Sequence, residues 1–143
     1  MAEEKVSVLV VANRTAGSDE LLQALRERAE QGPTSFHLVV PATPRGVSWV
    51  ADMNAGGDAA EHDLEGALER LRGAGLDIDG EIGDPDPVAA LQDAANARSY
   101  NEIIVSTLHK TISKWLKLDL PSKAAHATGL PVTHVEARAA AHA

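Results

Sequence analysis

The chain has 143 residues, 44% of them hydrophobic and only 3% aromatic, with no cysteine and a formal net charge of -8. That is enough apolar material for one packed domain built mainly from Val, Leu, Ile and Ala, and it argues against a disordered chain. The acid excess speaks against a general nucleic-acid or anionic-membrane binder, and the lack of cysteine removes disulfides, thiolate metal sites and thiol chemistry together.

Residues 6–13, VSVLVVAN, form a continuous Val-rich run, the pattern of a strand buried on both faces. After a turn at Arg14 to Gly17, Ser18 is placed to cap a helix with Asp19 and Glu20 in its first turn. Leu21, Leu22, Leu25 and Ala29 share one face of it, and Gly32-Pro33 ends it. Residues 35–40, SFHLVV, read as the second strand, stopped by Pro41. Thr43 to Gly57 lacks a period and reads as a loop, with Trp49 available as part of a lid.

Asp58 is the expected cap of the next helix, whose Leu64, Ala67, Leu68 and Leu71 face inward while Glu61, Asp63, Glu65 and Glu69 face water. Residues 76–82 form a weaker third strand. Asp86 followed by Pro87 is a strong helix start, with Val88, Leu91, Ala94 and Ala95 inward. Residues 102–107, EIIVST, are the fourth strand, followed by a polar, basic loop from Leu108 to Leu118. A short helix from Leu120 to Thr128 ends at Gly129, and residues 131–136, PVTHVE, are the fifth strand. The Ala-rich tail, 137–143, is expected to fray. Alternating strands and helices predict one α/β domain over 1–143 with a parallel sheet. No apolar run reaches the ~18 residues of a membrane span. The opening Met-Ala-Glu-Glu-Lys has no apolar signal core, so a cytoplasmic location is expected.

Three stretches resemble the universal stress protein family: the Val-rich opening strand with its polar turn, Gly83-Asp84-Pro85 before a helix, and residues 103–135, IIVSTLHKTISKWLKLDLPSKAAHATGLPVTHV. The resemblance spans nearly the whole chain. It implies an adenine-nucleotide alpha-hydrolase-like fold, with helices on both faces of a five-stranded sheet in the order 3-2-1-4-5. A ligand in such a sheet sits where the order reverses, beyond the carboxyl ends of strands 1 and 4.

Nucleotide-binding members carry G-x2-G-x9-G-(S/T) after strand 4, where bare backbone amides and a helix N-terminus cradle phosphates. At that spacing this chain has Ser106, His109 and Asp119 for the glycines and Leu120 for the hydroxyl residue. The Asp119 carboxylate is placed to cap the last helix itself, and at short range it would repel a phosphate by about 1–4 kcal/mol. ATP and AMP are therefore disfavoured as cofactors, and the site reads as a degenerate cleft open to another small anion. The alternative is an adenine-nucleotide binder with an atypical phosphate loop.

Asn13, Ala42, Ser106, Thr107, His109, Lys110, Asp119 and Leu120 are the candidate cleft residues. Asn13 either hydrogen-bonds a nucleoside or satisfies its own turn. Four of the five lysines, Lys110, Lys114, Lys117 and Lys123, crowd beside this cleft, as an anion-attracting patch or a solvated loop. Among them, Ile112 and Leu116 are expected to pack on the domain, whereas Trp115 is open to either packing or contact.

Ser106 and His109 suggest a hydrolase pair but lack a G-x-S-x-G elbow and an orienting carboxylate, so a non-catalytic stress-associated or regulatory protein is expected. The six histidines show no metal-ligand spacing, although His126 and His134 flank one short turn; His37 reads as a hydrogen-bonded strand residue. The fifth strand should lie at a sheet edge. The family resemblance implies a homodimer through it, with Val132, His134 and Val135 near the two-fold axis.

Overall fold

The computed structural model describes residues 5–12, 16–41, 55–84, 86–108 and 119–137; within these, the side chains of 55–60, 63 and 108 are not described. Five strands form one parallel sheet in the order β3-β2-β1-β4-β5. They are β1 (Val6–Val11), β2 (Thr34–Pro41), β3 (Asp77–Gly83), β4 (Glu102–Leu108) and β5 (Val132–Ala137). The helices are α1 (Asp19–Glu30), α2 (Ala55–Gly73), α3 (Pro87–Ala97) and α4 (Leu120–Thr128).

Alternation along the strands sorts the core into two layers. Val8 and Val10, with Phe36, Leu38 and Val40, pack against Leu21 and Leu25 of α1 and Leu64, Ala67 and Leu71 of α2. Leu9, Val11 and Val39 point the other way, onto Leu91 and Ala94 of α3 and Leu120 and Ala124 of α4. The β1 side chains from Val8 to Val11 are fully buried, as the unbroken Val run predicts for a central parallel strand.

The helix starts follow local chemistry. Ser18 accepts a hydrogen bond from the Leu21 amide. Asp86 accepts from Val88, with Pro87 at the first helical position. Gly83, at the end of β3, lies close against α3: a Cβ there would lie 2.8 Å from Ala90 Cβ and from Val39 Cγ1.

Three local expectations need correction. α2 begins at Ala55, so Asp58 lies inside the helix and does not cap it, and the loop expected to Gly57 ends sooner. The low helix propensity of Gly56 and Gly57, about 1 kcal/mol each, is outweighed over a 19-residue helix anchored by Leu64, Ala67 and Leu71. Ala137 is not frayed: it pairs with Leu108 as the last residue of β5 and is fully buried. β1 ends at Val11 rather than 13; Asn13 lies outside the described residues, as do Trp49 and Trp115 with its neighbours Ile112 and Leu116.

Candidate functional site

The strand ladders fix the carboxyl ends of the central strands. Val11, the last residue of β1, stands level with Val39 of β2 and Val105 of β4. β2 continues through Val40 and Pro41 alongside β3, and β4 through Ser106, Thr107 and Leu108 alongside β5. The sheet order reverses at β1, so neighbouring crossovers leave toward opposite faces there, the geometry that opens a ligand crevice in such sheets.

Of the candidate residues, four are described: Ser106 and Thr107 on β4, Asp119 and Leu120 at the start of α4. Asn13, Ala42, His109 and Lys110 lie outside the described residues, as do Lys114 and Lys117. Ser106 and Thr107 are both buried, with opposite orientations. Ser106 is aligned with Val135, whose side chain joins the α1 layer, and Thr107 faces the α4 layer. The Thr107 hydroxyl shares a 2.7 Å hydrogen bond with His134 Nε2, its direction set by the histidine tautomer. His134 is thus tied to β4 and does not depend on an approach to His126. Leu120 is fully buried in the layer that holds Val105, which plants the first turn of α4 against β4.

Asp119 departs from expectation. It is the N-cap residue of α4, but its side chain makes no capping hydrogen bond. Its backbone is left-handed, with φ 56° and ψ 46°, the one positive-φ non-glycine among the described residues. A capping side-chain oxygen reaches the N2 or N3 amide from an extended N-cap, as the Ser18 hydroxyl and the Asp86 carboxylate show; from the left-handed region it is aimed elsewhere. This position, aligned with the third glycine of the motif, therefore keeps the backbone that a glycine would adopt. The side chain is exposed. Within the helix, Lys123 N bonds the Asp119 carbonyl, while the Leu120 and Ser122 amides precede the first intrahelical acceptor and Pro121 has no N–H. What the start of α4 can do chemically is attract one small anion through the helix dipole and the amide of the exposed Ser122, since Leu120 is fully buried. The aligned glycine was the available sequence clue to the Asp119 backbone.

Two cavities, of about 420 and 480 Å³, lie between α3 and α4. The first is bordered by Asn96, Ser99, Tyr100 and Leu130, near the amino ends of β4 and β5 and so at the opposite end of the sheet from the strand carboxyl ends. No group of His and carboxylate side chains suited to a metal ion occurs among the described residues.

A five-stranded parallel sheet in this order, with its reversal at β1, defines a doubly wound α/β domain. No family model matches the sequence, and no curated protein matches it significantly. Solved structures do match over nearly the full length. An Arabidopsis thaliana protein of the universal stress protein family, with AMP bound, superposes with a TM-score of 0.65 at 13% identity, covering 94% of this chain and 93% of that one. The universal stress protein of Archaeoglobus fulgidus in complex with dAMP gives 0.62 at 14% identity, covering 92% and 98%. A universal stress protein in complex with cAMP gives 0.60 at 20% identity, covering 91% and 96%. The chain has the universal stress protein fold. No described helix is long and apolar enough to cross a membrane.

Proposed function

We propose that this is a non-catalytic, stress-associated nucleotide-binding protein whose crevice takes a nucleoside monophosphate, or a comparably small phosphate anion, rather than ATP. The observation that carries this is the α4 start: Asp119 holds a glycine-like backbone and does not cap the helix with its own carboxylate, which supports attraction of a single phosphate by the helix dipole. The substituted motif positions, Ser106 and His109, take away the bare backbone that further phosphates would need. The fold neighbours with AMP, dAMP and cAMP bound support the same ligand size. The complete burial of Ser106 supports a non-catalytic role, because a nucleophile must be reached by its substrate.

Thermal unfolding with AMP, ATP and inorganic phosphate tests this reading: a concentration-dependent rise with AMP that exceeds the rise with ATP is expected. A larger shift with ATP, or none with any of the three, would end it.

The edge position of β5, with Thr133, His134 and Glu136 exposed, supports a homodimer built on that strand. A monomer in analytical ultracentrifugation at micromolar concentration would remove the dimer from the proposal.

A further inference from the structure

His37 sits in the middle of β2 and is 6% exposed. In the parallel register it is level with Asp79 of the edge strand β3. Its Nδ1 lies 2.7 Å from Asp79 Oδ1 and its Nε2 lies 2.6 Å from Glu81 Oε2. One imidazole thus bridges two carboxylates that stand two residues apart on the same face of β3. An ionised carboxylate only accepts hydrogen bonds, so both contacts are satisfied together only by the imidazolium, which has two N–H donors. Neutral imidazole has one donor and one lone pair, and the lone pair would face a carboxylate oxygen at under 3 Å.

The surroundings are otherwise settled. Arg98, just past α3, reaches the second Asp79 oxygen at 3.7 Å. The Tyr100 ring lies over the imidazole, centroids 6.3 Å apart and planes 26° from parallel. Asp77, the next carboxylate along β3, is taken by Lys5. On the β1 side the neighbour in register is Leu9, and α3 contributes apolar Leu91 and Ala94 to this layer. With His37 charged, His37, Arg98, Asp79 and Glu81 sum to zero; with it neutral, they leave one net negative charge against β2.

We propose that His37, Asp79 and Glu81 form a proton-operated latch that holds the edge strand β3 to β2, closed by the imidazolium and opened at one of its two bonds when the ring loses its proton. The device is independent of any ligand in the crevice. Its output is the mobility of β3, which runs through Gly83 toward the start of α3.

The direct test is NMR on the whole chain across the titration of this ring. Ring nitrogen spectra should show both nitrogens protonated in the acidic form, and the hydrogen-exchange protection of β3 amides should drop roughly three- to tenfold as the ring deprotonates, with β1 amides unchanged. That range is what one charge-assisted hydrogen bond contributes once discounted for the half-exposed carboxylates, each 54% exposed. His37→Gln, whose amide keeps the same N–H donors and carbonyl acceptor at every pH, should abolish this dependence. So should Asp79→Asn combined with Glu81→Gln, which leaves the buried ring in place should His37→Gln fold poorly. A single protonated nitrogen throughout, or β3 protection that follows pH equally in the double variant, overturns the latch.

Discussion

Replacing Asp119 by glycine separates two effects that the native residue combines. The left-handed backbone at φ 56° costs a non-glycine residue about 1 kcal/mol, which glycine releases. The exposed carboxylate near the α4 start contributes about 0.3–1 kcal/mol to the helix through the dipole, which glycine forfeits. The two nearly cancel, so the melting temperature of the free protein should move little.

Ligand affinity should respond differently. A carboxylate about 5 Å from a bound phosphate repels it by about 0.8 kcal/mol in water and about 3 kcal/mol at an effective dielectric of 20. Because the Asp119 side chain is exposed, the lower end applies, which corresponds to roughly four- to tenfold tighter AMP binding in the variant. Titration calorimetry at low and moderate salt measures this, and the gain should shrink as salt screens the charge. Asp119→Asn provides the control, since asparagine tolerates the left-handed backbone and carries no charge. Equal tightening in both variants assigns the effect to charge, and tightening in glycine alone assigns it to the backbone. Unchanged or weaker AMP binding in both, with melting temperatures preserved, would refute a phosphate at the start of α4.

Two further outcomes are expected. Gly83→Ala should cost about 1–3 kcal/mol in chemical denaturation, because the added methyl would stand 2.8 Å from Ala90 and Val39, both held in the packed layer under α3; a neutral result would mean that α3 shifts freely on the sheet. Burial raises the Asp79 carboxyl, but the hydrogen bond and charge of His37, together with Arg98, outweigh it and hold the group below the usual carboxylate range. A carboxyl depressed by folding adds stability that is present above its unfolded value, about 3.9, and is lost as pH falls through its folded value. Acid unfolding of Asp79→Asn should therefore be less steep below about pH 4 than that of the native chain, and identical acid limbs would contradict this assignment.

Local chemistry was legible along the chain. The Val run of β1, the Ser18 cap, Asp86-Pro87 and the inward Leu positions of α1 and α2 stand where periodicity and capping place them, because each signal is complete within a few residues. The strand order was implied by the family resemblance carried by three stretches, the opening strand, Gly83-Asp84-Pro85 and residues 103–135, not by the periodicities. The candidate site was legible in position and not in conformation. Spacing brought Asp119 to the start of α4, but whether it caps the helix turns on one backbone torsion that its residue type does not dictate.

Ser106 and Thr107, adjacent in sequence, were grouped in one cleft, yet the two-residue period of a strand divides them between layers. The burial of Ala137 follows from a partner 29 positions away, Leu108, and an alanine-rich end gives no local sign of it. The His37 latch is the extreme case. Its partners lie 42 and 44 residues further along the chain, and a parallel register, set by the whole length of β2 against β3, brings them to opposite sides of one ring. Sequence by itself determined the elements and their buried faces, since those depend on near neighbours. Tertiary structure alone decided which charges meet, since that depends on how distant strands align.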